Sequence, residues 1–212
     1  MHDRLRGLYA ITDARVTDPK QIVRAVEQAL LGGARLVQYR DKGDDDARRA
    51  ETAGRLRRLT RTHGALLIIN DDVELAAQSG ADGVHIGRHD AALREARARL
   101  GREAIIGVSC YNQFQLAQQA VAAGADYVAF GRFFPSRTKP DAVPADLDLL
   151  CRAKRELDVP VAAIGGIGID NAAPLVAAGA DMLAVVDGLF AQADIRAAAE
   201  RFRALFLRGS PG

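Results

Sequence analysis

A (β/α)8 (TIM) barrel spanning residues 1–212 as a single domain is the architecture this sequence predicts, on three observations. Eight short apolar runs alternate with eight stretches of helical periodicity, and the connections between them are brief. A Gly-Ala turn also recurs on alternate units, at Gly33-Ala34, Gly80-Ala81-Asp82, Gly124-Ala125-Asp126 and Gly179-Ala180-Asp181. Each turn closes a helix and precedes an even-numbered strand, as a four-fold pseudo-symmetric barrel requires. An open doubly wound sheet alternates too, but gives no reason for eight units or for a glycine-rich turn as late as strand seven.

The first strand is read at 8–12. Asp18-Pro19 then supplies an N-cap and a first-turn proline for a helix with apolar positions Ile22, Val23, Val26 and Leu30, stopped by Gly32-Gly33. The second strand, 35–39, delivers Gln38, Arg40, Asp41 and Lys42, and Asp44 to Asp46 caps a helix with Ala47, Ala50 and Ala53 inward. Strand three, 66–69, ends in Asn70-Asp71-Asp72 before a short helix around 73–77. Strand four, 83–86, ends in Gly87-Arg88-His89-Asp90 before a helix over 91–100. Strand five, 105–108, exits through Ser109-Cys110-Tyr111, and Asn112 caps a helix reaching about residue 123.

The sixth strand, 127–130, runs into a polar, proline-bracketed loop that holds Ser136, Thr138 and Lys139. A helix over about 145–157 leads through Val159-Pro160 to strand seven, 161–164, which ends in Gly165-Gly166-Ile167-Gly168. Asp170-Asn171 opens the next helix, with Pro174 tolerated in its first turn. Strand eight covers 182–186, and a last helix through Phe190 to Leu207 closes the count.

Composition narrows the function classes. With 212 residues, 49% hydrophobic and 26% charged, the chain reads as an ordinary globular protein without a run of membrane-spanning length. Its start carries no apolar core followed by a small-residue cleavage site, so a cytoplasmic address is expected. Cys110 and Cys151 lack disulfide-framework or zinc spacing and read as idle thiols. The net charge of +2 comes from arginines scattered among acids, which argues against a nucleic-acid surface, and nothing suggests a membrane partner. Oligomeric state is not legible, so a homo-oligomer stays open.

In a barrel the residues after each strand converge at one mouth. Gln38, Arg40 and Lys42 alternate, so all three point the same way if strand geometry persists, and together they suit a polyanion. Asn70, Asp71 and Asp90 suit a hard, oxygen-seeking cation such as Mg²⁺ bridging to phosphate oxygens. Each aspartate alone is equally well an N-cap, and Arg40 could simply pair with Asp41. Ser136, Thr138 and Lys139 offer hydroxyls and a cation to an anion, or form a solvated loop. Gly165-Gly166 and Val186-Asp187-Gly188 lie where many barrels hold phosphate on backbone amides, or are tight-turn glycines. His85 is either an acid or base, or a hydrogen-bonded interior histidine. Two anion sites at one mouth suggest two phosphorylated substrates.

Taken in order, Leu8-Tyr9-Ala10-Ile11-Thr12-Asp13, Gln38-Tyr39-Arg40-Asp41-Lys42, Ile69-Asn70-Asp71-Asp72, Gly83-Val84-His85-Ile86-Gly87, Gly107-Val108-Ser109, Pro135-Ser136-Arg137-Thr138-Lys139-Pro140 and Ile164-Gly165-Gly166-Ile167 resemble the thiamine phosphate synthase family. The resemblance implies a Mg²⁺-dependent barrel enzyme that joins hydroxymethylpyrimidine diphosphate to hydroxyethylthiazole phosphate, giving thiamine phosphate and pyrophosphate. It implies that Gln38, Arg40, Lys42, Asn70, Ser109 and Lys139 hold the pyrimidine diphosphate, with Arg40, Lys42, Ser109 and Lys139 serving catalysis. Asp71 and Asp90 would bind the metal, while Ser136, Thr138, Gly166 and the backbone of Val186 and Asp187 would hold the thiazole phosphate.

Three positions depart from the family pattern. Ser136 replaces a frequent threonine and keeps the hydroxyl, and Arg88 replaces a common glutamine near the metal site. Asp187 replaces a frequent serine, and its carboxylate is expected to turn away from a bound phosphate. A homologous thiazole tautomerase needs neither a diphosphate site nor a metal, and a Schiff-base aldolase needs a lysine within a strand, which none of the four lysines provides. A non-catalytic phosphate-binding scaffold is the remaining rival.

Overall fold

Side-chain alternation along eight short strands sorts the apolar residues into two layers. In the computed structural model, which describes residues 4–87, 90–135 and 143–208, these strands are β1 (Gly7–Ile11), β2 (Leu36–Tyr39), β3 (Leu66–Asn70), β4 (Gly83–Ile86), β5 (Ile105–Tyr111), β6 (Tyr127–Phe130), β7 (Val161–Ile164) and β8 (Met182–Val185). They pair in parallel in sequence order, and β8 returns to β1 with Leu8 opposite Leu183, which closes the barrel. Tyr9, Leu36, Ile68, Ile105, Tyr127, Ala162 and Met182 fill the interior. Val37, Leu67, Val84, Ile106, Val128 and Leu183 point outward to the helices.

Those helices are α1 (Ile22–Leu31), α2 (Asp46–Thr62), α3 (Val73–Ser79), α4 (Asp90–Leu100), α5 (Phe114–Ala122), α6 (Leu147–Glu156), α7 (Ala173–Ala177), α8 (Asp187–Phe190) and α9 (Ile195–Arg208). Each turns an apolar stripe onto the sheet. Leu56 of α2 and Phe202 of α9 are fully buried, and such burial contributes about 1.5–3 kcal/mol per side chain. Among the described residues no helix is long and apolar enough to cross a membrane.

The recurring Gly-Ala-Asp turns have a structural task at the N-terminal end of the barrel. The glycines sit in the left-handed region, for example Gly80 at φ 63° and Gly179 at φ 102°, where a Cβ would be strained. The aspartates reach back to the preceding strand: Asp126 Oδ2 accepts from Ile106 N at 2.8 Å and from Arg97 Nη2 at 2.7 Å. Asp82 does the same with Leu67 N and Arg57, and Asp181 with Val161 N and Lys154. The first copy has Arg35 in place of the acid, and there only backbone pairing, Arg35 N to Leu8 O, makes the tie.

Local boundaries differ from the sequence reading where capping chemistry is shared between neighbours. Asp18 and Pro19 form a turn ahead of α1, with Asp18 Oδ1 accepting from Lys20 N, and the helix starts only at Ile22. Asn112 does not cap α5; Gln113 occupies that place and Asn112 donates to Pro144 O instead. Asp45, the middle of its acidic run, caps α2 by accepting from Arg48 N. The expected last helix is two, α8 and α9.

Candidate active site

The strand exits surround a cavity of about 560 Å³, and the residues that line it come from nearly every strand end. One side carries Asp13, Gln38, Arg40, Asn70, His85 and Ser109, and the opposite side carries Gly165, Gly166, Val186, Asp187 and Gly188.

Arg40 is fixed from β1. Thr12 N donates to Gln38 O at 2.9 Å, and Arg40 N donates to Thr12 Oγ1 at 2.9 Å, so the two exits are stitched together. The Arg40 guanidinium then meets Asp13 Oδ2 at 2.6 Å, and Arg15 binds the same carboxylate through Nη2 at 2.6 Å. Arg40 is thus not paired with Asp41, which instead takes Arg48. Asp13 is only 2% exposed. Burial pushes its carboxyl up, but the hydrogen bonds from Arg15 and the charges of Arg40 and Arg15 outweigh that and hold it below the usual carboxylate range. Two guanidiniums against one carboxylate leave this cluster with one net positive charge at the cavity wall.

The alternation of Gln38, Arg40 and Lys42 does not persist, because β2 ends at Tyr39. Gln38 and Arg40 line the cavity, whereas Lys42 lies outside that lining and places Nζ 2.6 Å from Asp71 Oδ2. Asn70 Nδ2 donates to the same oxygen at 2.8 Å. Asp71 holds φ at 61°, a left-handed conformation that costs a non-glycine residue about 1–3 kcal/mol. It is not a helix cap, since Asp72 caps α3 by accepting from Leu75 N. The strained, half-exposed Asp71 carboxylate is therefore available to a ligand.

Among the described residues no three His, Cys, Asp or Glu side chains form a metal cage. A single well-placed carboxylate with an amide neighbour fits a cation that keeps most of its waters and shares phosphate oxygens. Asp90 opens α4 instead of preceding it, and its side chain lies outside the described residues. Arg88, Ser136, Thr138 and Lys139 lie outside them as well.

On the opposite side the exits of β6, β7 and β8 pack backbone against backbone. Phe133 N donates to Ile164 O and Phe134 N to Gly165 O. Gly166 has φ 64°, and a Cβ there would stand 2.3 Å from Pro135 O; one on Gly188 would stand 2.2 Å from Ile167 O. Glycine is demanded by close approach here as well as by turn shape. Asp187 lines the cavity within electrostatic reach of Arg15.

Several residues in and behind the cavity wall escaped the sequence reading as site candidates. Arg132 is a cation two residues past the end of β6, a signal close to the one that marked Arg40. Tyr9 and Tyr127 looked like strand core, because a tyrosine within an apolar run gives no sign of where its hydroxyl points. They join Gln38, His85 and Ser109 in one buried hydrogen-bonded chain. Cys110 is buried, and its thiol is pushed up to about 12 by desolvation, so it offers no nucleophile at neutral pH.

Comparison with known proteins agrees with this geometry. The family model described as thiamine monophosphate synthase matches residues 8–189. The chain is 56% identical over 204 residues to the thiamine-phosphate synthase of Thioalkalivibrio sulfidiphilus, covering 96% of this chain and 97% of that one. It is 53% identical over 207 residues to the thiamine-phosphate synthase of Marinobacter nauticus, covering 97% and 93% respectively. The solved structure of thiamine phosphate pyrophosphorylase from Pyrococcus furiosus matches with a TM-score of 0.86 at 34% identity, covering 97% of each chain. A barrel whose mouth offers a cationic wall and a glycine-rich wall, matched over nearly its whole length by these relatives, belongs to the thiamine monophosphate synthase family.

Proposed function

We propose that this chain joins hydroxymethylpyrimidine diphosphate to hydroxyethylthiazole phosphate, releasing pyrophosphate and thiamine phosphate. The observation that carries the reading is that one cavity has two unlike anion-compatible walls, Arg40 with Gln38, Asn70 and Ser109 on one side and the Gly165-Gly166 and Val186-Gly188 exits on the other. A single-substrate phosphate enzyme has no use for both.

On the first wall Gln38, Asn70 and Ser109 orient the pyrimidine diphosphate, and Arg40, Lys42 and Lys139 neutralise charge as the diphosphate departs. Asp71 with Asp90 would hold Mg²⁺, which when bound supplies further neutralisation to the diphosphate oxygens. The electron-rich aminopyrimidine spreads the positive charge left on its benzylic-type carbon. On the second wall Ser136, Thr138, Gly166 and the main chain of Val186 and Asp187 hold the thiazole phosphate, which points the thiazole nitrogen at that carbon. The Asp187 side chain turns toward the arginine cluster and away from the phosphate. No strong base is needed, and excluding water until capture is the main remaining task of the protein. A cytoplasmic setting accompanies the proposal, and the unpaired state of Cys110 and Cys151 suits a reducing compartment.

The test is pyrophosphate release on mixing both substrates with Mg²⁺ and folded protein, with each substrate alone as control. Release that requires both substrates is expected; background release only would overturn the reading.

A further inference from the structure

Gln38, Tyr9, Tyr127, His85 and Ser109 form an unbroken chain in which every link is 2.8 Å. Gln38 Nε2 meets the Tyr9 hydroxyl, Tyr9 meets the Tyr127 hydroxyl, Tyr127 meets His85 Nδ1, and His85 Nε2 meets Ser109 Oγ. Both tyrosines are at most 1% exposed, Gln38 is 3% and His85 8% exposed. Gly107 makes room for the central link, because a Cβ there would lie 2.0 Å from the Tyr127 ring. Gln38 and Ser109, the two ends, line the cavity, as do Tyr9 and His85, and Tyr127 of the five does not.

Proton counting gives the chain a direction. A phenol has one proton to donate, and burial pushes both phenols far above their usual range, so both keep it. The Tyr9 oxygen accepts from the Gln38 amide, and because the phenol is only 1% exposed its own proton goes to the Tyr127 oxygen 2.8 Å away. Tyr127, having accepted from Tyr9, donates to His85 Nδ1. A histidine that accepts at Nδ1 carries its proton at Nε2 and donates it to Ser109 Oγ. The Ser109 hydroxyl proton is then left to point into the cavity.

We propose that this chain runs in one direction and makes Ser109 a hydrogen-bond donor to the substrate, with Tyr9, Tyr127 and His85 as positioning residues. The proposed reaction moves no net proton, so the chain orients groups and conducts nothing. Its ends also act as one filter. A ligand donor at the Gln38 carbonyl oxygen and a ligand acceptor at Ser109 both favour this direction, whereas the opposite polarity must reverse five groups together. On the proposed function, an aromatic amine and a diphosphate oxygen are ligand groups of the right polarity.

The experiment has two readouts. In the ligand-free protein, ¹⁵N resonances of the His85 ring, assigned by their loss in His85→Gln, are expected to show a neutral ring protonated at Nε2. In Tyr127→Phe the Nδ1-protonated form is expected to appear, and kcat is expected to fall about tenfold, the size of one hydrogen bond, with KM for the thiazole phosphate unchanged. In a Ser109→Ala background the same substitution is expected to cost less than about twofold, because Tyr127 acts through Ser109. A wild-type ring protonated at Nδ1, or losses that multiply fully in the double variant, would overturn the proposal. If the wild-type protein forms no product, the proposed function fails, while the resonances still decide the direction of the chain.

Discussion

Lys42 Nζ lies 2.6 Å from Asp71 Oδ2, so a cation and an anion assigned by sequence to different partners are held by each other. Both side chains are more than half exposed, and such a pair contributes about 0–1 kcal/mol. On the proposed function the pair would open at little cost for a diphosphate and its cation, freeing Lys42 for the one and Asp71 for the other.

Asp71→Ala is accordingly expected to lower turnover on the order of 100-fold or more and to abolish its dependence on Mg²⁺ concentration, while the melting temperature stays within a few degrees. The small stability effect follows because the substitution removes only an exposed ion pair, to Lys42, and one exposed hydrogen bond, from Asn70 Nδ2. Magnesium titration of initial rates, beside a thermal melt, checks both halves.

Gly166→Ala is expected to raise KM for the thiazole phosphate by tenfold or more and to destabilise the protein by about 1–3 kcal/mol. The added Cβ meets Pro135 O and Phe134 O, both backbone atoms, at a φ that alanine disfavours. KM for the pyrimidine diphosphate is expected to change much less, so steady-state kinetics with each substrate varied in turn separates the two walls.

Asp13 makes a prediction about acid. Its folded carboxyl lies below its usual value near 3.8, so the stabilisation it gives is complete above that value and is lost as pH falls through the folded value. Asp13→Asn removes this titration and leaves Arg40 without its buried partner. It is expected to cost about 3 kcal/mol at pH 7 and to flatten the fall in stability below pH ~4. Denaturant unfolding at a series of pH values checks the sign; an unchanged acid limb would contradict it.

Asp126→Ala is expected to destabilise by about 1–3 kcal/mol, since Ile106 N and Arg97 lose an acceptor, without altering kcat of the folded fraction. The site lies at the other end of the barrel. Chemical denaturation together with active-site-normalised rates tests the separation of fold from chemistry.

The barrel was legible because eight apolar runs and their turns are local signals, the Gly-Ala turn recurring before every second strand. The convergence of Gln38, Arg40, Asn70 and Ser109 followed from topology alone. Pairing choices did not. That Arg40 takes Asp13 instead of Asp41, that Asp72 and not Asp71 caps α3, and that Lys42 leaves the line of β2 all depend on which of several adjacent acids wins a partner. The Tyr9–Tyr127 link was invisible for a different reason: two strand tyrosines 118 residues apart touch only because the closed barrel puts both inside.

The central claim is that the two walls hold two substrates that react with each other. Its most direct test is a quenched time course in which thiamine phosphate and pyrophosphate are measured together from both substrates and Mg²⁺. The account predicts that the two products rise in a one-to-one ratio and that neither forms when one substrate is omitted. Pyrophosphate without thiamine phosphate, or the absence of both from folded protein, would contradict it.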